Sequence, residues 1–592
     1  LAVMAGHLAE HLVEKLLPKA SSLGMQIEFF IEQELLGTAG NLLSARDYLG
    51  SEPYFAVYGD VVFDLDMERL ARFHIENCAD ATIVCHPNDH PHESDLLAID
   101  DAGLILEIMP ARGRKPGWYR NLVPSSIYVL SSTVFDFIFR DTKQDFIKQV
   151  FPEMINAGKK VMAYNTPEYL RDMGTPERYA SADEHIRTGR VSAMNYSNKR
   201  PAVFFDRDGV LNVEPMGQGV VSPDQLELFS WSPKAVKMVN ESGRLAVVVT
   251  NQPQIAKNLL SFSELDKIHA KLETMLGFEG AWLDRIYFCP HHPERGFEGE
   301  VPELKIDCEC RKPKPGLLLR AAEELPIDMK KSVMIGDSWR DAGAARAAGI
   351  RFYGVRTGFG CEGCVGELLP DMMFDSVIEA VDFLLSSDPM AEVLVSDICK
   401  VVKSGGNDKL LIGVCGIARS GKSTLSHRLE IMLEDRGIPV LRVHLDQWIL
   451  PRSKRKFDDP PEIVNRIERY RKVFSTLKSG NPVIAPGYDP KTREQGKPVK
   501  FDPRGKKVII FDGLFACHGS VKDLIDLSVY VDSTEEEVRR RFMRFYEWKG
   551  LAKEERERLF TKRTKDEWPA IHLQRIHADV LFERKSNDTL DG

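Results

Sequence analysis

One local pattern constrains this chain more than any other: a short run of Val, Ile, Leu or Phe that stops at Gly or Asp and gives way to a helical pattern. It recurs as YFAVYGD, AVFFDRDG, LAVVVTN, SVMIGDS, LLIGVCG and KVIIFDG. Strands covered on both faces read this way, and their alternation with helices predicts α/β architecture built on parallel sheets. A chain of 592 residues exceeds what one hydrophobic core organises, so the pattern must be shared among domains. Two polar stretches mark seams, Ile186 to Arg200 and Ser386 to Lys409. They predict three consecutive doubly wound α/β domains over residues 1–186, 200–385 and 409–592. In such sheets ligands gather where strands end, so the polar residues closing the runs are the candidates for chemistry.

The bulk properties narrow the partners. The net charge of -9 leaves no broad basic field, so nucleic acid is not an expected partner. No apolar run approaches the ~20 residues of a membrane span, so no membrane partner is expected either. Ten cysteines are sparse, and three fall in a metal-like pattern, which suggests thiols in a reducing cytoplasm. The opening stretch carries His, Glu and Lys and does not read as a signal peptide. The chain starts at Leu1 without an initiator Met, so the front of the first domain is expected to be missing. The residues do not predict an oligomeric state.

In the middle block Phe205 ends a strand and Asp206-Arg207-Asp208-Gly209 follows. Phosphoester hydrolysis through a covalent intermediate needs a nucleophile, which Asp206 can be. Asp208 can protonate the leaving oxygen and later activate water. Thr250 closes the next strand and can bond phosphoryl oxygens, and Lys312 can neutralise phosphoryl charge. Asp337 closes a later strand and is expected to hold magnesium with Asp206 and Asp208, supported by Asp341. Cys289-Pro290-His291 and Cys308-Glu309-Cys310 are joined by a 16-residue loop. Three thiolates and one imidazole form a closed tetrahedral zinc set, with His292 as the competing ligand. A lone Cys361-x-x-Cys364 carries no metal or redox expectation. The segments FFDRDGVLN, VVVTNQPQIAK, CPHHPERGFEGEVPELKIDCECRKPKPG and MIGDSWRDAGAARAAGI resemble the D-glycero-D-manno-heptose 1,7-bisphosphate 7-phosphatases of the haloacid-dehalogenase (HAD) superfamily. The resemblance covers about 155 residues. It implies that Asn251 and Arg311 help bind a sugar bisphosphate. Gln252-Pro253-Gln254 departs from the family pattern, in which Ser-Gly follows Thr-Asn-Gln. Histidinol-phosphate phosphatase has the same layout.

In the first block the strand Tyr54 to Tyr58 ends in Gly59-Asp60, and Arg171-Asp172-Met173-Gly174 follows far downstream. Two distant aspartates can hold the magnesium that bridges an α-phosphate in nucleotidyl transfer. The small-residue turn with Gly37 and Thr38 would let backbone approach a base. Together these resemble sugar-1-phosphate nucleotidyltransferases, the heptose 1-phosphate guanylyltransferase type among them. Glu107-Ile108-Met109-Pro110 and Pro124 depart from that family's pattern, and its phosphate-cradling Gly-rich opening is lacking. The block can equally be a vestigial binding domain.

In the third block the strand Leu410 to Val414 runs into Gly416-x-x-x-x-Gly421-Lys422-Ser423-Thr424. Backbone N–H groups of such a loop cradle phosphates, Lys422 reaches the β- and γ-phosphates, and Ser423 ligates magnesium, so ATP is the expected nucleotide. Asp446 is a candidate base for an acceptor hydroxyl, and Asp512 a second magnesium-side carboxylate. Arg539, Arg540, Arg541 and Arg544 form a helical run where a phosphate-closing lid would fall. The block resembles the uridine kinase and phosphoribulokinase family. That resemblance implies acceptor-side roles for Tyr488, Arg493 and Phe457-Asp458-Asp459-Pro460. The combined reading is a multifunctional sugar-phosphate enzyme of nucleotide-activated heptose synthesis. A nucleoside kinase, or outer blocks that only regulate a phosphatase, are the alternatives.

Overall fold

The computed structural model describes residues 1–215, 217–404, 409–456, 459–490 and 492–583. Phe457, Asp458, Lys491 and the Gly405–Asp408 run of the second seam therefore lie outside the described residues. The chain forms two compact units, residues 1–334 with 347–350, and 335–346 with 351–592. The strand Val333–Gly336 carries the chain from one to the other.

The first unit opens with a parallel pair, Ala2–Ala5 and Glu28–Ile31, and then forms a four-stranded mixed sheet in the order Tyr54–Val57, Val123–Leu130, Ala81–His86, Val161–Asn165. Only the last pair is parallel. Ala81 to Cys85 are all buried, because Tyr128, Phe146 and Phe151 pack on one face and helix Met67–Glu76 contributes Leu70 to the other. A separate antiparallel ribbon pairs Val61–Asp64 with Tyr169–Asp172 and sets Asp172 opposite Val61. Thr175 then caps helix Pro176–Arg187, with Pro176 in its first turn.

The same unit continues into three parallel strands, Ala202–Phe205, Leu245–Asn251 and Arg285–Cys289. Ala202 to Phe205 are wholly buried, as a strand covered on both faces requires. Arg120 reaches from the first block to Glu273 at 2.9 Å, and the Asn121 amide donates to the same carboxylate at 2.8 Å.

The second unit contains the parallel pair Arg351–Val355 and Met372–Phe374. It also holds a five-stranded parallel sheet in the order Val440–His444, Val508–Asp512, Leu410–Cys415, Leu527–Asp532, Val580–Glu583. Helix Lys422–Asp435 buries Leu425, Leu429 and Leu433, the spacing its sequence predicts.

Both seams differ from the sequence reading. Pro389–Ser404, read as part of a linker, is a helix. Its Ala391, Leu394, Val395 and Ile398 lie on one face and are buried with Leu425 and Leu429, so an amphipathic stripe outweighed the polar average. In the other seam Tyr196 lies under Arg69 at 3.8 Å, and its amide donates to Glu168 at 2.9 Å. Among the described residues no helix is long and apolar enough to cross a membrane.

Candidate active sites

Three sites arise from strand ends. In the first unit, Asp206 follows the buried strand Ala202–Phe205 and meets Lys312, Oδ2 to Nζ 2.9 Å. Lys312 is 2% exposed, and its Nζ also donates to the Val249 carbonyl at 2.9 Å. Its backbone is clasped by Asn251, whose Oδ1 accepts the Lys312 amide and whose Nδ2 donates to the Lys312 carbonyl, both at 3.0 Å. Asn251 and Lys312 stand 61 positions apart in the sequence, and Asp206 is farther still; the fold makes them one assembly. A buried ammonium beside a carboxylate is where a phosphoryl group's charge would be met.

Asp208 faces a different set. Arg207, fully buried, donates to both its carboxylate oxygens at 3.0–3.2 Å. Asn212 Nδ2 donates at 2.9 Å and Gln252 Nε2 at 3.0 Å. Burial works to raise the Asp208 carboxyl, and Arg207, Asn212 and Gln252 overcome it, holding the group below its ordinary range. Gln252 also donates to Thr250 Oγ1 at 2.9 Å and accepts from Arg207 at 3.1 Å, so it links two of the candidate residues. Sequence reasoning missed Arg207, Asn212 and Gln252. The first two stand inside the quoted motif FFDRDGVLN, and Gln252 directly follows Thr250 and Asn251. Gly209 has φ 80°, which a turn this tight requires.

In the second unit, Asp337 accepts the Phe359 amide at 2.7 Å, and Asp341 accepts the Ser338 amide and hydroxyl at 3.1 and 2.7 Å. Both aspartates are buried. The Cys361 amide donates to the Asp337 carbonyl, and Cys361 itself is buried at φ 60°. The lone Cys-x-x-Cys is thus part of the wall around Asp337.

Cys289, His291, Cys308 and Cys310 bring their ligand atoms within 4.8 Å of one another. Cys310 Sγ lies 3.2 Å from the sulfurs of both Cys289 and Cys308 and 3.3 Å from His291 Nδ1. Hydrogen bonds led by the one from Cys289 lower the Cys310 thiol to about 5. The sulfurs sit somewhat closer than the about 3.8 Å edge of a tetrahedron of thiolates with bonds of about 2.3 Å, and the soft donor set fits zinc. His292 instead bonds the Glu294 carbonyl at 3.3 Å. Arg311 donates to the His291 carbonyl at 3.1 Å, tying the cluster to the segment that leads to Lys312.

In the first block the ribbon brings Asp60 beside Asp172: the Met173 amide donates to the Asp60 carbonyl at 2.8 Å. Burial opposes charge on Asp172, but Arg178 at 2.7 Å holds its carboxyl below the ordinary range. Thr38 Oγ1 donates to Asp145 at 3.1 Å. A Cβ at Gly37 would lie 2.4 Å from the Gln144 carbonyl, so this glycine makes room for the chain's own backbone. A cavity of about 300 Å³ nearby is lined by Tyr58, Asp95, Pro124, Tyr128, Asp145 and Lys148.

In the second unit the P-loop leaves the central strand at Gly416, φ 143°, and enters its helix through Gly421, φ 101°. Lys422 Nζ turns back to the Ile417 carbonyl at 3.5 Å. Ser423 and Thr424, in the helix's first turn, are half-buried. Asp512 is 3% exposed; among the described residues its carboxylate oxygens have no close hydrogen-bond partner, with His444 at 3.4 Å and Ser423 nearby. A buried carboxylate left open beside Ser423 suits a hard cation such as magnesium. Asp446 keeps solvent exposure but is crowded by protein, and that crowding, with Asp512, raises its carboxyl while Lys422 opposes the rise. The arginine run is already engaged: Arg539 meets Glu557, Arg540 and Arg541 meet Glu537, and Arg544 meets Glu379 at 3.2 Å. Tyr488 accepts from Arg455 at 3.1 Å, and the Arg493 amide donates to the Asp489 carbonyl at 2.8 Å.

These folds and strand-end groups define an enzyme of phosphoryl chemistry, a phosphatase joined to a P-loop kinase-type domain and a nucleotidyltransferase-like one. Family models agree: Nucleotidyl transferase over residues 2–189, HAD-hydrolase-like over 309–380, and the Phosphoribulokinase / Uridine kinase family over 411–590. The chain is 38% identical over 162 residues to the D-glycero-beta-D-manno-heptose-1,7-bisphosphate 7-phosphatase of Rhodopseudomonas palustris, covering 26% of this chain and 85% of that protein. It is 38% identical over 188 residues to the same enzyme of Vibrio cholerae, covering 31% and 97%. The chain belongs to this phosphatase family. A solved D,D-heptose 1,7-bisphosphate phosphatase from B. bronchiseptica, complexed with magnesium and phosphate, is 30% identical over 31% of this chain and 98% of that one, with a TM-score of 0.28.

Proposed function

We propose that the protein removes the 7-phosphate of D-glycero-D-manno-heptose 1,7-bisphosphate through an aspartyl-phosphate, within a multifunctional enzyme of nucleotide-activated heptose synthesis. The observation that carries this reading is the buried Lys312 held between Asp206 and the Val249 carbonyl, beside an Asp208 fixed by Arg207, Asn212 and Gln252. Asp206 attacks phosphorus, Lys312 and Thr250 meet the phosphoryl oxygens, and Asp208 passes the proton to the leaving alkoxide and later takes one from water. Asn251 and Arg311 face the sugar bisphosphate. Asp206, Asp208 and Asp337 would hold magnesium, whose charge would stabilise the transferring phosphoryl group. Zinc at Cys289, His291, Cys308 and Cys310 is structural.

The domains of this reading are residues 1–186, 200–385 and 409–592. In the last, Gly416, Gly421, Lys422, Ser423, Thr424 and Arg544 bind ATP, Ser423 and Asp512 hold magnesium, and Asp446 activates the acceptor hydroxyl, with Tyr488 and Arg493 on the acceptor's side. In the first, Asp60 and Asp172 hold magnesium while Gly37 and Thr38 face the nucleotide, for charging heptose 1-phosphate. All three act in the cytoplasm on small phosphorylated substrates, and the product suits lipopolysaccharide assembly. The test is phosphate release from heptose 1,7-bisphosphate and from histidinol phosphate, with magnesium. The bisphosphate should be strongly preferred, with only its 7-phosphate lost. A preference for histidinol phosphate would sink the substrate assignment.

A further inference from the structure

Phe545, on the helix Glu535–Trp548, has a guanidinium from each of two blocks against its ring. Arg419, inside the P-loop, sets its guanidinium 3.4 Å from the ring centre, and Arg356, from the phosphatase block, sets its own at 5.3 Å. The two charges are thus held within about 9 Å of each other, where they repel. Arg356 also lies 5.5 Å from the centre of the Trp548 ring and is ion-paired with Asp375. Among the described residues Arg419 has no carboxylate partner. Burial first, and then Arg356, work against charge on Arg419. The Arg419 carbonyl accepts from Arg541 at 3.3 Å, so both its backbone and its side chain bear on the one helix.

Arg356 opens a short segment whose other side meets Asp337. The Phe359 amide donates to the Asp337 carboxylate at 2.7 Å, and the Cys361 amide donates to the Asp337 carbonyl. Between them Gly360 lies close against Trp548: a Cβ there would be 2.7 Å from the indole Nε1. Residues 356–361 therefore touch the helix of Phe545 and Trp548 on one side and Asp337 on the other, all within the second unit. Contacts packed this closely shift together rather than one at a time. Phosphates seated in the P-loop bring negative charge beside Arg419. That charge offsets the repulsion between the two guanidinium groups, so Arg356 keeps its place on the rings and holds the segment it opens more firmly.

We propose that nucleotide in the P-loop tightens magnesium binding at Asp337, through Arg419, Phe545, Trp548 and residues 356–361, so that the phosphatase answers to the occupancy of the kinase-type block. Magnesium at Asp337 must then strengthen nucleotide binding by the same factor. This rests on the reading in which Asp337 holds the phosphatase's magnesium.

The test uses the full chain, a non-hydrolysable ATP analogue, and free magnesium set by a buffer. Amide hydrogen exchange is followed over residues 356–364, and phosphate release from heptose 1,7-bisphosphate is followed against magnesium. Saturating analogue should slow exchange of the Phe359 and Cys361 amides and lower the half-saturating magnesium, each about five-fold. Phe545→Leu and Trp548→Leu should bring both effects within about two-fold of none, while release without nucleotide and analogue affinity each change less than about two-fold. Arg356→Lys keeps the charge and the pair with Asp375 but gives up the flat face, and it repeats the test if a leucine variant melts early. The proposal fails if the analogue leaves exchange unchanged, if it leaves or raises the half-saturating magnesium of an active enzyme, or if the variants keep the coupling. The phosphatase reading is judged separately: if exchange slows but no phosphate is released under any condition, that reading is overturned and the link from the P-loop to the segment stands.

Discussion

Asp206 and Asp208 stand two residues apart and live in opposite surroundings. Asp206 meets the Lys312 ammonium on one oxygen and the Arg207 amide on the other, whereas Asp208 is gripped by a guanidinium and two side-chain amides. The first pairs the carboxylate with a positive charge that a phosphoryl group can share; the second fixes direction. Asp206→Asn should therefore abolish phosphate release by about three orders of magnitude or more, with the melting temperature nearly unchanged, since only the charge is lost. Gln252→Ala removes the amide that joins Asp208 to Thr250 and Arg207. It should lower kcat about 10- to 100-fold with little change in KM, since the substrate still binds and the proton donor is misplaced. An equal rise in KM would show that Gln252 contacts substrate instead. Asp206, Asp208, Thr250 and Lys312 were legible because each ends a strand or a motif with a single chemical use. Arg207 and Gln252 were not, because a hydrogen-bond partner is chosen by the tertiary fold and leaves no spacing in the chain.

At the scale of elements, the P-loop was legible in full: strand, glycine pair, lysine and helix follow one another without interruption. What spacing could not give is how closely the loop is packed. A Cβ at Gly416 would lie 2.5 Å from the Val531 carbonyl, at a φ that side chains avoid. Gly416→Ala should cost about 1–3 kcal/mol of stability and weaken ATP binding, read by melting with and without nucleotide. The arginine run reads differently in three dimensions. Sequence showed the charges but not the glutamates that meet them, since Glu557 and Glu379 come from other helices. The Cys/His loop was legible to the extent that the fold brings together the four side chains its spacing singled out. Cys308→Ser should reduce zinc from about one per chain and lower the melting temperature of the first unit before phosphatase chemistry suffers. A loss of about 2 kcal/mol would show as roughly 4–8 °C. Zinc content unchanged in the variant would rule out Cys308 as a ligand.

At the scale of the molecule, the strand-end motifs mark three kinds of α/β block, as the three family models do, but the polar averages hid what the joints contain. The joint before the P-loop block carries a helix, and the segment before that is built into the second unit. Phe383 stacks on His427 with centroids 5.7 Å apart, and Tyr353 meets the same imidazole at 5.5 Å. Arg428 donates to the carbonyls of Phe383 and Ser386, and Arg351 reaches Glu434 at 3.0 Å. Composition hides such a joint, because polar residues on one face of a helix average out the apolar ones on the other. Phe383→Ala should cost about 3–5 kcal/mol and lower the temperature at which ATP-protected unfolding occurs. If the variant melts like the parent, the joint is only a surface contact.

The packing of Phe383 and Tyr353 against the helix that begins at the P-loop also bears on where the chain can be divided. Fused neighbours that merely share a tether can be separated again by one new stop and start. Here each side has let the other cover its apolar surface, so a split would expose greasy patches on both products at once. Cutting the chain at this joint should therefore leave two pieces that are each less soluble than the whole.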